Sequence, residues 1–376
     1  MNILALVPEA HGGFGGISVY NRDLVNACCD LSRVNKLTLL PRCLRGDPLG
    51  LPEKTNLVRT AAKGLASFAH EVAKASFEPY DVVLCSHIHL LPFARMAALR
   101  RGTSLIGVLY GVEAWKPTGR FLVDRLSRQC EGLIAISEFT KSRFQQWSQV
   151  EDNRIGILPN AIHAGAYGIG VKPAHLVQRY GFAGKTVLLT LGRLDARERQ
   201  KGIDEIIEIM PSLVSDIPSL VFLIAGDGDD RPRLEAKVAG LELQYCVKFA
   251  GLVDESEKAD HYRLCDVYTM AGRQEGFGFV FLEALATGAP VVASSLDGSR
   301  NAILEGRLGE LANPDEPETL KKAIIRSLAK PRAVPELLEY FSYENFVMRL
   351  DGILDQFALF PAKPKAAGPS ILRGRR

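Results

Sequence analysis

Two glutamates with seven residues between them mark the stretch EGFGFVFLEALATG. Glu275 precedes Gly276 and Gly278, and Glu283 lies in VFLEALA, whose other side chains are all apolar. On a helix that run would turn Glu283 inward, where an unpaired carboxylate is costly and needs dedicated donors. A vicinal diol such as a ribose offers two donors, and a buried salt bridge to a neighbouring basic residue is the alternative. Glu275, ahead of the helix, can reach the same cleft or serve as an acid at the positive helix end. A glycosidase acid–base pair fits less well. Eight helical residues separate the two by roughly 12 Å, beyond the spacing of about 5 to 9.5 Å that glycoside hydrolysis uses. A Glu275 outside the helix leaves that distance open, but binding roles still suit the pair better.

A second constellation is LGRLDARERQKGIDEII. Arg193 ends an apolar run, and Lys201 and Gly202 open a helix. Two cations near a helix N-terminus oppose the helix dipole unless an anion lies between them. A diphosphate fits, since a guanidinium can grip it with two bonds. The competing reading is a solvated basic loop of Arg197, Arg199 and Lys201 paired with Asp195 and Glu198. A third is EAHGGFGGIS, with four glycines ahead of a helix, including Gly15 and Gly16. Bare N–H groups there suit a phosphate or sugar, and a ligand-free tight turn is equally compatible. Counting G-x-G-x-x-G from Gly13 puts Ser18 at the third glycine, so this is not the dinucleotide fingerprint.

The elements that must carry these residues alternate apolar runs with amphipathic stretches, the pattern of a parallel sheet covered by helices. NILALV, KLTLL, DVVLCS, SLIGVL and GLIAIS read as strands of one half, and TVLLTLG, LVFLIAG, YCVKFAG, DVYTM and PVVAS as strands of another. Between them HAGAYGIGVKPAH reads as a loose, glycine-rich linker. The expectation is an α/β protein of two doubly wound parallel-sheet domains, residues 1–172 and 173–342. A final helix at about 343–357 could cross back onto the first domain, and the basic Pro/Gly-rich tail, 361–376, is expected to be disordered. Ligands bind at the carboxyl ends of strands in such sheets, where all three constellations lie.

A chain of 376 residues, 47% hydrophobic and 24% charged, is long enough for two full cores. No apolar run is long enough to span a membrane and the N-terminus lacks a secretory pattern, so a cytosolic protein is expected. Seven cysteines without a CxxC pair point to reduced thiols in the core. No helix-turn-helix or zinc-finger pattern suggests a nucleic-acid partner.

Taken in order, GGFGGIS, AISEFTKSRF, ILPNAIH, LGRLDARERQKGID, LIAGDGDDRPRLE, VKFAGLV and EGFGFVFLEALATGAPVVAS resemble the motif series of the retaining glycosyltransferases of family 4. The likeness extends over almost the whole chain. It implies the GT-B fold, two Rossmann-like domains facing a cleft, with the donor on the second. It further implies that Glu283 holds the donor ribose and that Glu275, Gly276, Phe277 and Gly278 contact the donor sugar. Arg193 and Lys201 would hold the diphosphate without a metal, and Gly15 and Gly16 would approach it from the other domain. The nucleobase would lie near residues 250–253, against Leu252 and Val253. In GVLYGVEAWKP, Tyr110 stands where the family often has a histidine near the transferred sugar. His87 or His89 could line the site instead, or be structural. The activity implied is retaining transfer of a hexosyl unit from a nucleoside-diphosphate sugar to a hydroxyl of a glycan or lipid-linked saccharide, in cell-surface polysaccharide synthesis. A catalytically silent nucleotide-sugar-binding subunit, or another GT-B activity such as epimerisation or hydrolysis of a nucleotide sugar, is the alternative.

The net charge of +3 is uneven: residues 1–172 carry 20 Lys+Arg against 14 Asp+Glu, and the remainder 26 against 29. In the basic half, KPTGRFLVDRLSRQ sets Arg120, Arg125 and Arg128 beside Phe121, Leu122 and Leu126. On a helix this composition suits either an ordinary core-packed face or peripheral contact with an anionic membrane that offers a lipid-linked acceptor.

Overall fold

Seven short runs form the first sheet: β1 (Asn2–Val7), β2 (Lys36–Pro41), β3 (Thr55–Leu57), β4 (Val82–Cys85), β5 (Ser104–Leu109), β6 (Gly132–Ala135) and β7 (Ile155–Ile157). In the computed structural model, which describes residues 1–13, 15–99 and 103–358, all are parallel, in the order β3-β2-β1-β4-β5-β6-β7. The second sheet contains β8 (Thr186–Leu191), β9 (Leu220–Ala225), β10 (Val247–Gly251), β11 (Val267–Met270), β12 (Val291–Ser294) and β13 (Glu310–Ala312), in the order β10-β9-β8-β11-β12-β13. The central strands are buried along their length because helices cover both faces, which is why they read as unbroken Val/Ile/Leu runs.

This strand order places the functional segments. The strand order of each sheet reverses once, between β1 and β4 and between β8 and β11, and a crevice opens at the carboxyl ends of the strands at such a point. The glycine-rich loop follows β1 and the two histidines follow β4. The Arg193 loop follows β8, and the Glu275 loop follows β11.

The two domains meet at the Glu275 loop. Ser137 Oγ donates to the Gly276 carbonyl (2.8 Å), and the Phe139 N–H donates to Asn301 Oδ1 (2.9 Å). Behind them the helix Tyr343–Ala358 lies on the first domain. Tyr343 Oη donates to Asp30 (2.7 Å), Arg33 pairs with Asp351 (2.6 Å), and the rings of Phe346 and Tyr20 meet edge to face. Phe357 and Ile353 rest on Gly132 and Gly156, where a Cβ would overlap them.

Some local readings change. The segment after the first domain is not loose, since Arg263 donates to the carbonyls of Tyr167 (2.6 Å) and Gly168 (3.1 Å), and the Gly168 N–H reaches Ala286. The three-residue strands β3 and β13 have no apolar run to announce them, and β7 has only the short IGIL. Six of the seven cysteines are buried free thiols, while Cys43 is exposed. The tail at 361–376 lies outside the described residues.

Candidate active site

The two cations occupy a loop tied to its neighbour by backbone contacts. Gly202, at φ +88, precedes the helix Ile203–Asp216, and a Cβ there would overlap the Ala271 carbonyl after β11. The Arg273 N–H donates to the Gln200 carbonyl at 2.8 Å. The loops after β8 and β11 are thereby packed together, and Lys201 comes close enough to influence Glu275. Burial pushes the Glu275 carboxyl above its usual range, while the Lys201 ammonium and the Phe277 and Gly276 N–H groups pull it down and Glu198 raises it.

An anion does lie between the cations, and it belongs to the chain. Arg193 Nη2 is 2.6 Å from Glu198 Oε1, and Lys201 Nζ is 2.7 Å from Glu198 Oε2. Arg197 pairs with Asp195 (2.9 Å) and Arg199 with Asp230 (2.8 Å). The loop is thus a paired basic loop in which Arg193 and Lys201 share one carboxylate.

Gly276 is enclosed from both sides. A Cβ on it would overlap the Tyr110 carbonyl oxygen, and a Cβ on Gly298 would overlap the Gly276 carbonyl. Beneath the loop, buried Asp297 accepts the Glu275 N–H at 3.0 Å and both the N–H (3.0 Å) and Oγ–H (2.6 Å) of Ser299. Burial raises the Asp297 pKa to about 7 against the pull of those donors. AISEFTKSRF marks the segment of Ser137, whereas Asp297 and Asn301 carry no site signal in the sequence. DGS after a strand signals a turn, but not the loop it supports.

Glu283, 7% exposed, sits on the helix Phe279–Ala286 and has donors already. Lys258 Nζ lies 2.8 Å from Oε1, and Tyr262 Oη donates to Oε2 at 2.7 Å. Burial works against the Lys258 charge, yet Glu283 and Glu255 outweigh it and hold the ammonium pKa above its usual value. The salt-bridge alternative for Glu283 is therefore present, and a diol would have to share the carboxylate with it. Lys258 links Glu283 to the segment at the carboxyl end of β10. There Leu252 is 82% exposed and Val253 partly buried, an open apolar edge.

From the first domain, Gly15 (φ +87) has open space where a Cβ would stand, and a Cβ on Gly16 would lie 3.6 Å from the Phe279 ring. The glycine-rich loop thus faces the Glu275–Phe279 segment. Tyr110 presents its backbone to that segment and not its phenol. Its Oη donates to Asn21 Oδ1 (2.6 Å) within a buried network that includes Ser86, and burial raises its pKa far above the usual phenol value. His87, partly buried, accepts the His89 N–H at Nδ1 (3.2 Å), so a neutral ring carries its proton on Nε2. Burial, with His89 beside it, lowers its pKa to about 4. Among the described residues no cluster of three or more His, Cys, Asp or Glu has the arrangement of a metal site.

Residues 14–165 match the profile described as Glycosyltransferase Family 4, and residues 185–330 the profile described as Glycosyl transferases group 1. A GDP-mannose-dependent alpha-(1-6)-phosphatidylinositol monomannoside mannosyltransferase of Mycolicibacterium smegmatis is 28% identical over 64% of this chain and 64% of its own length. A phosphatidyl-myo-inositol mannosyltransferase of the same organism is 34% identical over 52% of this chain. The matched segment spans 47% of that relative, so the chain covers between about half and two thirds of these proteins. Anabaena HepE, solved in complex with UDP, superposes with a TM-score of 0.73 at 20% identity, covering 94% of this chain and all of that one. With both halves matched in order and the two sheets arranged as in GT-B structures, the chain belongs to glycosyltransferase family 4.

Proposed function

We propose that the protein transfers a hexosyl unit from a nucleoside-diphosphate sugar to a hydroxyl of a lipid-linked saccharide or glycan, with retention at the anomeric carbon. The observation that carries this reading is the convergence of Arg193, Lys201 and Glu275 at one switch point, opposite the glycine-rich loop at the other. In this reading Arg193 and Lys201 take the diphosphate and offset the charge that grows as the bond from C1 to the β-phosphate oxygen breaks. The acceptor oxygen bonds to C1 on the same face, and its proton passes to the departing phosphate. No side chain need act as base, and the two cations supply the charge a divalent metal would otherwise bring. Glu275 and the Gly276, Phe277 and Gly278 backbone orient the sugar, and positioning supplies much of the rate. Glu283 takes the ribose diol, and Leu252 and Val253 flank the base. The acceptor class is supported by the phosphatidylinositol substrates in the names of the two mycobacterial relatives.

Thermal shift with UDP-, GDP- and ADP-sugars tests the donor, because a specific donor stabilises by mass action. NMR of the product anomer tests retention. Stabilisation by a donor that is never turned over would favour a silent nucleotide-sugar-binding subunit, and turnover without acceptor would favour epimerisation or hydrolysis.

A further inference from the structure

We propose that Glu198 is a resident counter-anion for the donor's diphosphate, joining Arg193 to Lys201 in the donor-free protein and leaving both when the diphosphate binds. This inference rests on the donor reading above and adds a residue that opposes binding. The geometry is specific: one oxygen of a single carboxylate goes to each cation, at 2.6 and 2.7 Å. The other acids around this loop are engaged elsewhere. Asp195 holds the side chain and N–H of Arg197, Asp229 accepts the Ala196 N–H, and Asp230 holds Arg199 and Arg233.

A diphosphate cannot simply join this arrangement. With Glu198 in place, two cations would face its carboxylate, the charges of the diphosphate and the nearby Glu275, whose proton affinity Glu198 already raises. Such repulsion favours the departure of Glu198, because the Glu275 carboxyl is also held by the Phe277 and Gly276 N–H groups. Rotation takes Glu198, whose side chain is 33% exposed, first from the 73%-exposed Arg193 side chain, where an ion pair is individually weak, and then from Lys201, whose side chain is 18% exposed. After transfer the same carboxylate can return to the cations and compete with the spent nucleoside diphosphate. Glu198 would thus lower affinity for donor and product alike and hasten product release.

The test is calorimetric titration with UDP, GDP, ADP and inorganic pyrophosphate, and with the corresponding nucleosides. The proteins compared are the wild type, Glu198→Gln, Glu198→Ala, Arg193→Gln and Lys201→Gln. Both Glu198 variants should bind the preferred diphosphate about five- to tenfold more tightly, with nucleoside affinity unchanged. Damage to the loop would weaken binding, so the sign separates competition from a structural role. If Arg193→Gln and Lys201→Gln weaken diphosphate binding but the Glu198 variants bind no more tightly than wild type, Glu198 does not compete and the donor reading stands. If Arg193→Gln and Lys201→Gln leave affinity unchanged, or no probe binds wild type or Glu198→Gln, the donor reading falls and this inference with it.

Discussion

Glu283 is tied into the fold, and the proposed ribose contact would have to be made beside those ties. Its ion pair with Lys258 and its bond from Tyr262 mean that Glu283→Gln will cost stability whatever else it does, since breaking a buried pair strands the partner charge. Loss of activity alone therefore decides nothing. The informative comparison is a nucleoside diphosphate against its 2′,3′-dideoxy analogue. Wild type should prefer the parent by about tenfold, because a site built to accept hydroxyl protons rejects a ligand without them. Glu283→Gln should bind the two nearly alike. Equal discrimination in both proteins would leave Glu283 a structural residue. Asp297 yields a second prediction, in pH. Its folded pKa of about 7 exceeds the ordinary aspartate value of about 4. Between those values the folded protein keeps a proton that the unfolded chain has released, so stability should fall as pH rises through this window and level off above it. Urea midpoints for Asp297→Asn should lack that fall, and an unchanged profile would mean that Asp297 is ionised in the fold.

At the scale of elements, the loop between β11 and its following helix is where the domains press together, and Gly276 is its pivot. Gly276→Ala would place a methyl against the Tyr110 carbonyl and force the first domain away. Since a misplacement of about 1 Å can cost on the order of a hundredfold in rate, turnover should drop by that order. Donor affinity measured on the second domain's contacts should change much less. An equal loss of both would show that the loop itself, not the approach of the domains, had been damaged. How far the elements were legible in the sequence follows from what each depends on. The buried strands announce themselves because burial on both faces demands unbroken apolar runs. TNL at β3 is only partly buried and has no such run. The glycine-rich segment after the first domain reads as loose because its anchor, Arg263, lies about a hundred residues away. Likewise Arg193, Lys201, Glu275 and Glu283 stand out by type and spacing, and Asp195 and Glu198 as their possible partners. That Glu198 takes both cations depends on the turn preceding Lys201, which composition does not encode.

The whole molecule presents two unequal halves, and the basic first half carries an apolar surface beside the crevice. The helix Phe121–Ser127 packs Val123 and Leu126 inward, so Leu126 belongs to the core and not to a surface stripe. Phe121 and Leu122 remain 77% and 54% exposed, with Val112 at 52%. Arg120, Arg125 and Arg128 are exposed nearby, and Arg128 rests over the Trp147 ring. The charges of Arg120 and Asp124 are felt at His89, the former lowering and the latter raising its pKa beneath the dominant effect of burial. The helix therefore stands near the carboxyl end of β4, where the cleft opens. No helix among the described residues is long and apolar enough to cross a membrane. A basic rim around exposed Phe and Leu instead suits shallow contact with anionic lipid, each cation contributing about 1 kcal/mol. Co-sedimentation with anionic vesicles should accordingly be weak but measurable at low salt and fade at high salt. Arg120, Arg125 and Arg128 changed together to Gln should weaken it by roughly two orders of magnitude, since three such contributions multiply. Changing Phe121 and Leu122 to Ser should weaken it without altering the salt dependence. Failure of the wild type to sediment at low salt, or equal binding by the triple variant, would point the acceptor search toward soluble glycans.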